Sequence, residues 1–113
     1  MKQKLLAVIA GLSIIAAAAQ DYPSKPLRIV VPNPPGGTVD IVARTVGQHI
    51  APALGQPVLV EPHPGADTVI GTDMVARAAP DGHTILLATA TLALNPILRK
   101  LPYDGINGFA PVA

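Results

Sequence analysis

Hydrophobic positions along this chain fall in blocks whose period alternates between continuous and helical. Leu27–Val31 is one such block, with Ile29, Val30 and Val31 in direct succession. A continuous apolar run suits a strand buried on both faces, as in a parallel sheet covered by helices. From Thr38 onward Val39, Val42, Ala43, Val46, Ile50 and Leu54 recur at helical spacing. Asp40 falls in the first turn of that segment, where negative charge complements the helix dipole. Pro52 is expected to end or kink the helix, and Gly55 to stop it. Val58–Val60 predicts a second strand with Glu61 behind it, and Val69, Ile70, Met74, Val75 and Ala78 mark a second helical stripe. Pro80-Asp81-Gly82 reads as a turn and Thr84–Ala88 as a third strand. Leu92–Leu98 looks like a short helix interrupted around Asn95-Pro96, and residues 101–113 are irregular and rich in glycine and proline.

Strand–helix–strand–helix–strand with short connections predicts an α/β fold, a parallel sheet with helices on both faces. Two right-handed crossovers on opposite faces give the strand order 2-1-3. Ligands of such sheets sit outside the carboxyl ends of the strands, where the strand order reverses. The loops at 32–38, 62–68 and 89–95 all fall on that edge.

The first twenty residues follow a different pattern. Lys2 and Lys4 precede an apolar run from Leu5 to Ile15, and Ala16-Ala17-Ala18-Ala19 follows. These are the parts of a cleavable secretory signal peptide, residues 1–19, with a mature start at Gln20. The stretch from Leu5 to Ala19 falls short of the roughly 20 residues a spanning helix needs. Export from the cytoplasm with cleavage follows as the expectation.

Composition then narrows the function classes. The chain is 50% hydrophobic and 13% charged, too apolar for a disordered protein. Its formal net charge of +1 becomes −1 once Lys2 and Lys4 are removed. No basic patch for nucleic acid remains, and two tyrosines and one phenylalanine are few rings for stacking on bases. Without cysteine, an exported chain relies on packing rather than disulfides.

Candidate chemistry centres on Pro32–Asp40. Gly36 and Gly37 precede a helix start, where unpaired N–H groups and the positive dipole end favour an anion. Nucleotide signatures of the GxxxxGK[ST] and GxGxxG kinds are absent. A small carboxylate and a phosphate satisfy this local physics equally, and a plain tight turn also accounts for the glycines. Asp40 reads first as a helix-start residue. His49, His63 and His83 show no HxxxH or HExxH spacing, and Ser24 has no G-x-S-x-G around it. Asp67 and Asp73 have no companion nucleophile. Neither metal, cofactor nor catalytic set is predicted.

The chain also resembles a known family. Tyr22-Pro23-Ser24-Lys25-Pro26-Leu27-Arg28-Ile29-Val30-Val31-Pro32, then Pro34-Pro35-Gly36-Gly37-Thr38-x-Asp40, is similar to the solute-binding proteins of tripartite tricarboxylate transporters, often called the Bug family. Ala43-Arg44, Leu54-Gly55-Gln56-Pro57, Glu61, Pro64-Gly65-Ala66, Ile70-Gly71, Ala79-Pro80-Asp81-Gly82 and Leu101-Pro102-Tyr103-Asp104 extend the match. The resemblance implies a periplasmic, type II two-lobed fold that captures small organic carboxylates for membrane permease subunits. It also implies, by analogy alone, docking to a sensor kinase. Carried over by position, Pro35, Gly36, Gly37, Thr38 and Asp40 match the family's first ligand loop. Gly65 and Ala66 match the second loop, Thr89 and Thr91 lie in the third, and Asn95 fits a recurrent asparagine. The departures are Asn33 for an apolar residue, Pro62-His63 for Asn-Arg, and Asp67-Thr68 for Gly-Gly. Asp67 beside a carboxylate would repel it unless protonated or turned outward.

Family members run to roughly three hundred residues, the size of paired domains. Residues 20–113 are therefore expected to be an incomplete first lobe, with the second lobe absent and strand three left as an exposed edge. The alternatives are a truncated product unable to bind ligand and, below it, an α/β enzyme.

Overall fold

The computed structural model describes residues 21–113, so the predicted signal peptide lies outside the described residues. Strand β1 (Leu27–Val31) leads to helix α1 (Thr38–Leu54), strand β2 (Val58–Pro62), helix α2 (Val69–Ala76), strand β3 (Thr84–Leu86) and helix α3 (Thr91–Leu98). The three strands form a parallel sheet in the order β2-β1-β3. Leu27 pairs with Val58 and Val31 with Pro62 on one side of β1, while Arg28 pairs with Thr84 and Val30 with Leu86 on the other.

The central strand is buried because both of its faces are covered. Ile29 and Val31 meet Ala43 of α1, with Val39, Val58, Val60 and Leu87 packed around them. Side chains alternate along a strand, so Val30 faces the other way, and it too has no exposed surface. Removing a valine side chain of this kind from water stabilises the fold by about 1.5–3 kcal/mol. Helix α2 reaches β1 and β3, as the second right-handed crossover requires. At the β2 end of that face Leu59 stays half exposed. There Arg28 grips Glu61 with two parallel bonds, Nε to Oε1 at 2.9 Å and Nη2 to Oε2 at 2.6 Å. The guanidinium holds the Glu61 carboxyl below its usual range.

Several element boundaries differ from expectation, among them the second helix, which ends at Ala76 rather than Ala78, and the third, which starts at Thr91 rather than Leu92. Pro52 does not end α1, which runs two residues further and closes at Gly55. Gly55 is left-handed (φ 66°), and its N–H donates to the Ala51 carbonyl at 3.0 Å. A proline in the last turn removes one helix bond shortly before the helix would end anyway. Strand β2 extends through Glu61 to Pro62, because on an edge strand the missing N–H of proline faces no partner strand. Strand β3 stops at Leu86 rather than Ala88, although the Leu87 N–H still donates to the Val30 carbonyl at 3.0 Å. Helix α3 runs through Pro96 without interruption. Among the described residues no helix is long and apolar enough to cross a membrane.

Candidate functional site

The three loops after β1, β2 and β3 lie side by side at the carboxyl edge of the sheet, with β1 between the other two. Loop 1 (residues 32–37) contains Gly36 at φ +80°, a conformation that favours glycine even though open space surrounds its Cα. The Gly36 N–H donates to Asp40 Oδ2 at 2.9 Å, and Arg44 Nε donates to the same oxygen at 3.0 Å. Asp40 is 3% exposed. Its carboxyl is held below the usual range, first by the Arg44 bond and then by the Gly36 amide. Its side chain therefore clasps loop 1 against the first turn of α1. Gly37, in extended conformation, stands at the N-cap, and no side chain caps this helix end. The first amides of α1 have no partner within the helix, and Pro35, Gly36, Gly37 and Thr38 beside them are exposed.

Loop 2 (residues 63–68) bends through four consecutive positive-φ residues: Gly65 at 131°, Ala66 at 48°, Asp67 at 53° and Thr68 at 73°. Left-handed geometry costs a non-glycine residue about 1–2 kcal/mol. The bonds that hold the turn come from two helices. Buried Asn95 of α3 donates through Nδ2 to the Asp67 carbonyl at 3.0 Å. Arg99 Nη2 donates to Asp67 Oδ2 at 3.0 Å. In α2, the Thr72 hydroxyl donates to the Thr68 carbonyl at 2.7 Å. The positions where the resemblance expected Gly-Gly are thus the left-handed ones. The Asp67 charge is paired with Arg99 at an exposed position rather than left unbalanced.

Loop 3 (residues 87–90) brings Thr89 to the start of α3, where its Oγ1 lies 2.7 Å from Oγ1 of Thr91. Thr91 Oγ1 is in turn 3.0 Å from Thr68 Oγ1. Loops 2 and 3 follow non-adjacent strands, so these bonds cross over the end of β1. No side-chain hydrogen bond among the described residues ties loop 1 to either of them. Loops 1 and 2 instead meet at Gly71 of α2. A Cβ there would come within 2.7 Å of the His63 carbonyl oxygen and 2.9 Å of Pro32 Cα.

The predicted residues therefore share one edge but differ in placement. Pro35, Gly36, Gly37, Thr38, Gly65 and Ala66 are exposed backbone, and Thr89 and Thr91 are half-buried hydroxyls. Asp40 and Asn95 are buried, and their side chains brace the loops. Sequence reasoning missed the hydroxyl of Thr68 and the bracing by Arg44, Arg99 and Thr72. The available signal was Thr68 itself, a β-branched residue where the family pattern has glycine. Among the described residues no three acidic or histidine side chains gather as a metal would require.

A parallel sheet that reverses strand order beneath three open loops defines a doubly wound α/β unit, whose ligands sit at that reversal. Structural comparison agrees: BugD, a periplasmic binding protein, superimposes with a TM-score of 0.76 at 44% identity, over 80% of this chain and 31% of that one. MatC from Rhodopseudomonas palustris, solved with malate bound, gives a TM-score of 0.71 at 38% identity, over 80% of this chain and 32% of that one. In sequence, residues 42–113 match the model of the tripartite tricarboxylate transporter family receptor. BugT of Bordetella pertussis is 39% identical over 97% of this chain and 36% of its own length. The chain belongs to the tripartite tricarboxylate transporter receptor family. It spans about a third of the length of the curated relatives it matches.

Proposed function

We propose that the full-length protein carrying these residues binds a small organic carboxylate in the periplasm and passes it to the permease subunits of a tripartite tricarboxylate transporter, without catalysing a reaction. Residues 1–19 direct export, and residues 20–113 supply one jaw of a two-lobed site. The observation that carries this reading is the uncapped start of α1 behind Gly36-Gly37, at the point where the strand order reverses. An anion there meets several N–H donors and a positive dipole end. In the proposed site the amides of Gly37 and Thr38 receive one carboxylate, Pro35 and Gly36 flank it, and Gly65, Ala66, Thr89 and Thr91 border it. Asp40 and Asn95 serve the ligand indirectly, by holding the loops in shape. Similarity to a protein solved with malate bound supports the choice of carboxylate over phosphate. Calorimetric titration of the full-length protein with malate, succinate, adipate, citrate and inorganic phosphate tests the reading. Heat with at least one of the acids is expected, and silence with all of them overturns it. Mass analysis of the periplasmic form tests the leader, with a mature chain starting at Gln20 expected.

A further inference from the structure

Loop 2 retains side chains where its backbone geometry favours glycine. Thr68 is the most costly of them, because a β-branched residue at φ 73° is a conformational outlier. Such a residue persists only where its surroundings over-determine it, and what its side chain meets is a row of hydroxyls. Thr68 Oγ1 lies 3.0 Å from Thr91 Oγ1, which lies 2.7 Å from Thr89 Oγ1. Three hydroxyls carry three hydrogens, and two hydroxyl–hydroxyl bonds use two of them. One hydrogen is left over whichever way the bonds point. The 3.0 Å contact allows either hydroxyl to donate; Thr68 is 6% exposed, so a hydrogen directed to Thr91 keeps it satisfied, and that is the direction the relay uses. The free hydrogen then sits on Thr91 or Thr89, both half buried at the start of α3.

We infer that Thr68 sets the direction of a three-hydroxyl relay, Thr68 to Thr91 with Thr89, which orients one O–H donor of loop 3 toward a carboxylate oxygen of the bound acid. The inference rests on the carboxylate reading above and deepens it. Thr68 is a positioning residue, and Thr89 and Thr91 are the groups that touch the ligand. A hydroxyl polarised by the one behind it is a stronger donor, and a bond to an ionised acceptor is about twice as strong as a neutral one. The relay therefore favours a carboxylate over an uncharged amide of the same shape.

The test compares the tightest-binding acid of the panel (malate, succinate, adipate or citrate) with its amide, in the full-length protein. Thr68→Ser keeps the hydroxyl and is expected to bind the acid within about twofold of the parent. Thr68→Val lowers acid affinity about tenfold while leaving the amide nearly unchanged, so the preference for the ionised ligand shrinks. Equal acid affinity in parent and Thr68→Val overturns the inference. So does an equal fall for acid and amide, which marks a merely structural role. If Thr68→Val does not fold, Thr68→Ala carries the same comparison, removing the hydroxyl together with the β-branch that the left-handed backbone disfavours. A parent that binds no acid overturns the carboxylate reading and this inference with it. A parent that binds, with the hydroxyl-free variants of Thr68 indifferent, overturns the relay alone.

Discussion

The two ends of this sheet are built from the same three strands and differ in almost every other respect. At the amino end the chain closes on itself. The Tyr22 hydroxyl donates to the Gly82 carbonyl at 2.6 Å, and its ring meets that of His83 edge-on at 5.0 Å. Asp81 accepts from the His83 amide and from Lys25, each at 3.0 Å. The one left-handed residue of that turn is a glycine, Gly82. At the carboxyl end three non-glycine residues are left-handed and no side chain caps the start of α1. The difference locates the strain: the amino end turns on a glycine, although His83 Nε2 is buried there without a partner, while the carboxyl end, where the ligand is proposed to sit, holds non-glycine residues in a costly backbone.

The sharpest way to break that comparison is to separate the loops from the helix that spaces them. In the Gly71→Ala variant a new Cβ sits 2.7 Å from the His63 carbonyl oxygen and 2.9 Å from Pro32 Cα. Both contacts are backbone, so neither yields by a rotamer change. The variant is expected to lose about 3 kcal/mol of stability by urea denaturation of the full-length protein, despite a gain of about 1 kcal/mol in helix propensity. A loss under 1 kcal/mol would show that the loops are spaced by something other than α2.

Next in size is Asn95→Ala. It removes a buried amide that holds the Asp67 carbonyl and leaves that carbonyl without its side-chain donor. About 2 kcal/mol is expected to be lost, together with faster amide exchange at Ala66, Asp67 and Thr68. Unchanged exchange in the turn would mean that Arg99 and Thr72 hold it without Asn95.

These two residues show where sequence was legible. The strand order follows from local pattern, because alternating strand and helix periods admit few topologies, whereas the close approach of Pro32 and His63 to Gly71 shows only in the fold. The run Leu27–Val31 was readable for the same reason, as was the stop at Gly55. The end of β2 and the tolerance of Pro52 and Pro96 were not, since proline rules describe central strands and helix interiors rather than edges and last turns. The bracing role of Asn95 and the relay through Thr68 were hidden for a different reason. They join residues 28 and 23 positions apart in sequence, and no periodicity reports contacts between loops of non-adjacent strands. Asp40 was placed correctly at a helix start, but its clasp on Gly36 depends on the fold of the loop.

The amino end supplies the contrasting case. Tyr22→Phe removes one hydroxyl donor from the Gly82 carbonyl and keeps the ring against His83. A loss of about 1 kcal/mol is expected, with ligand affinity unchanged because the change lies at the far end of the strands. A fall in affinity to match the fall in stability would dissolve the distinction between the two ends.

Smallest in effect, and most specific in form, is the acid response of that same turn. The Asp81 carboxyl is lowered from its ordinary value to about 2, first by the His83 amide and then by Lys25. A carboxyl whose folded pKa lies below its unfolded one adds stability at pH values above the unfolded pKa of about 4. That contribution fades as pH falls from about 4 through about 2, because the unfolded chain takes up the proton first. Asp81→Asn removes the charge and with it this dependence. Its melting temperature should lie below that of the parent at pH 7, and the gap should narrow steadily between pH 4 and pH 2. The Lys25 pair is exposed to solvent and screened, so the gap at pH 7 should change little with added salt. A gap that salt closes, or that holds constant down to pH 2, would place the strength of this turn in Lys25 or in packing rather than in the amide bond to Asp81.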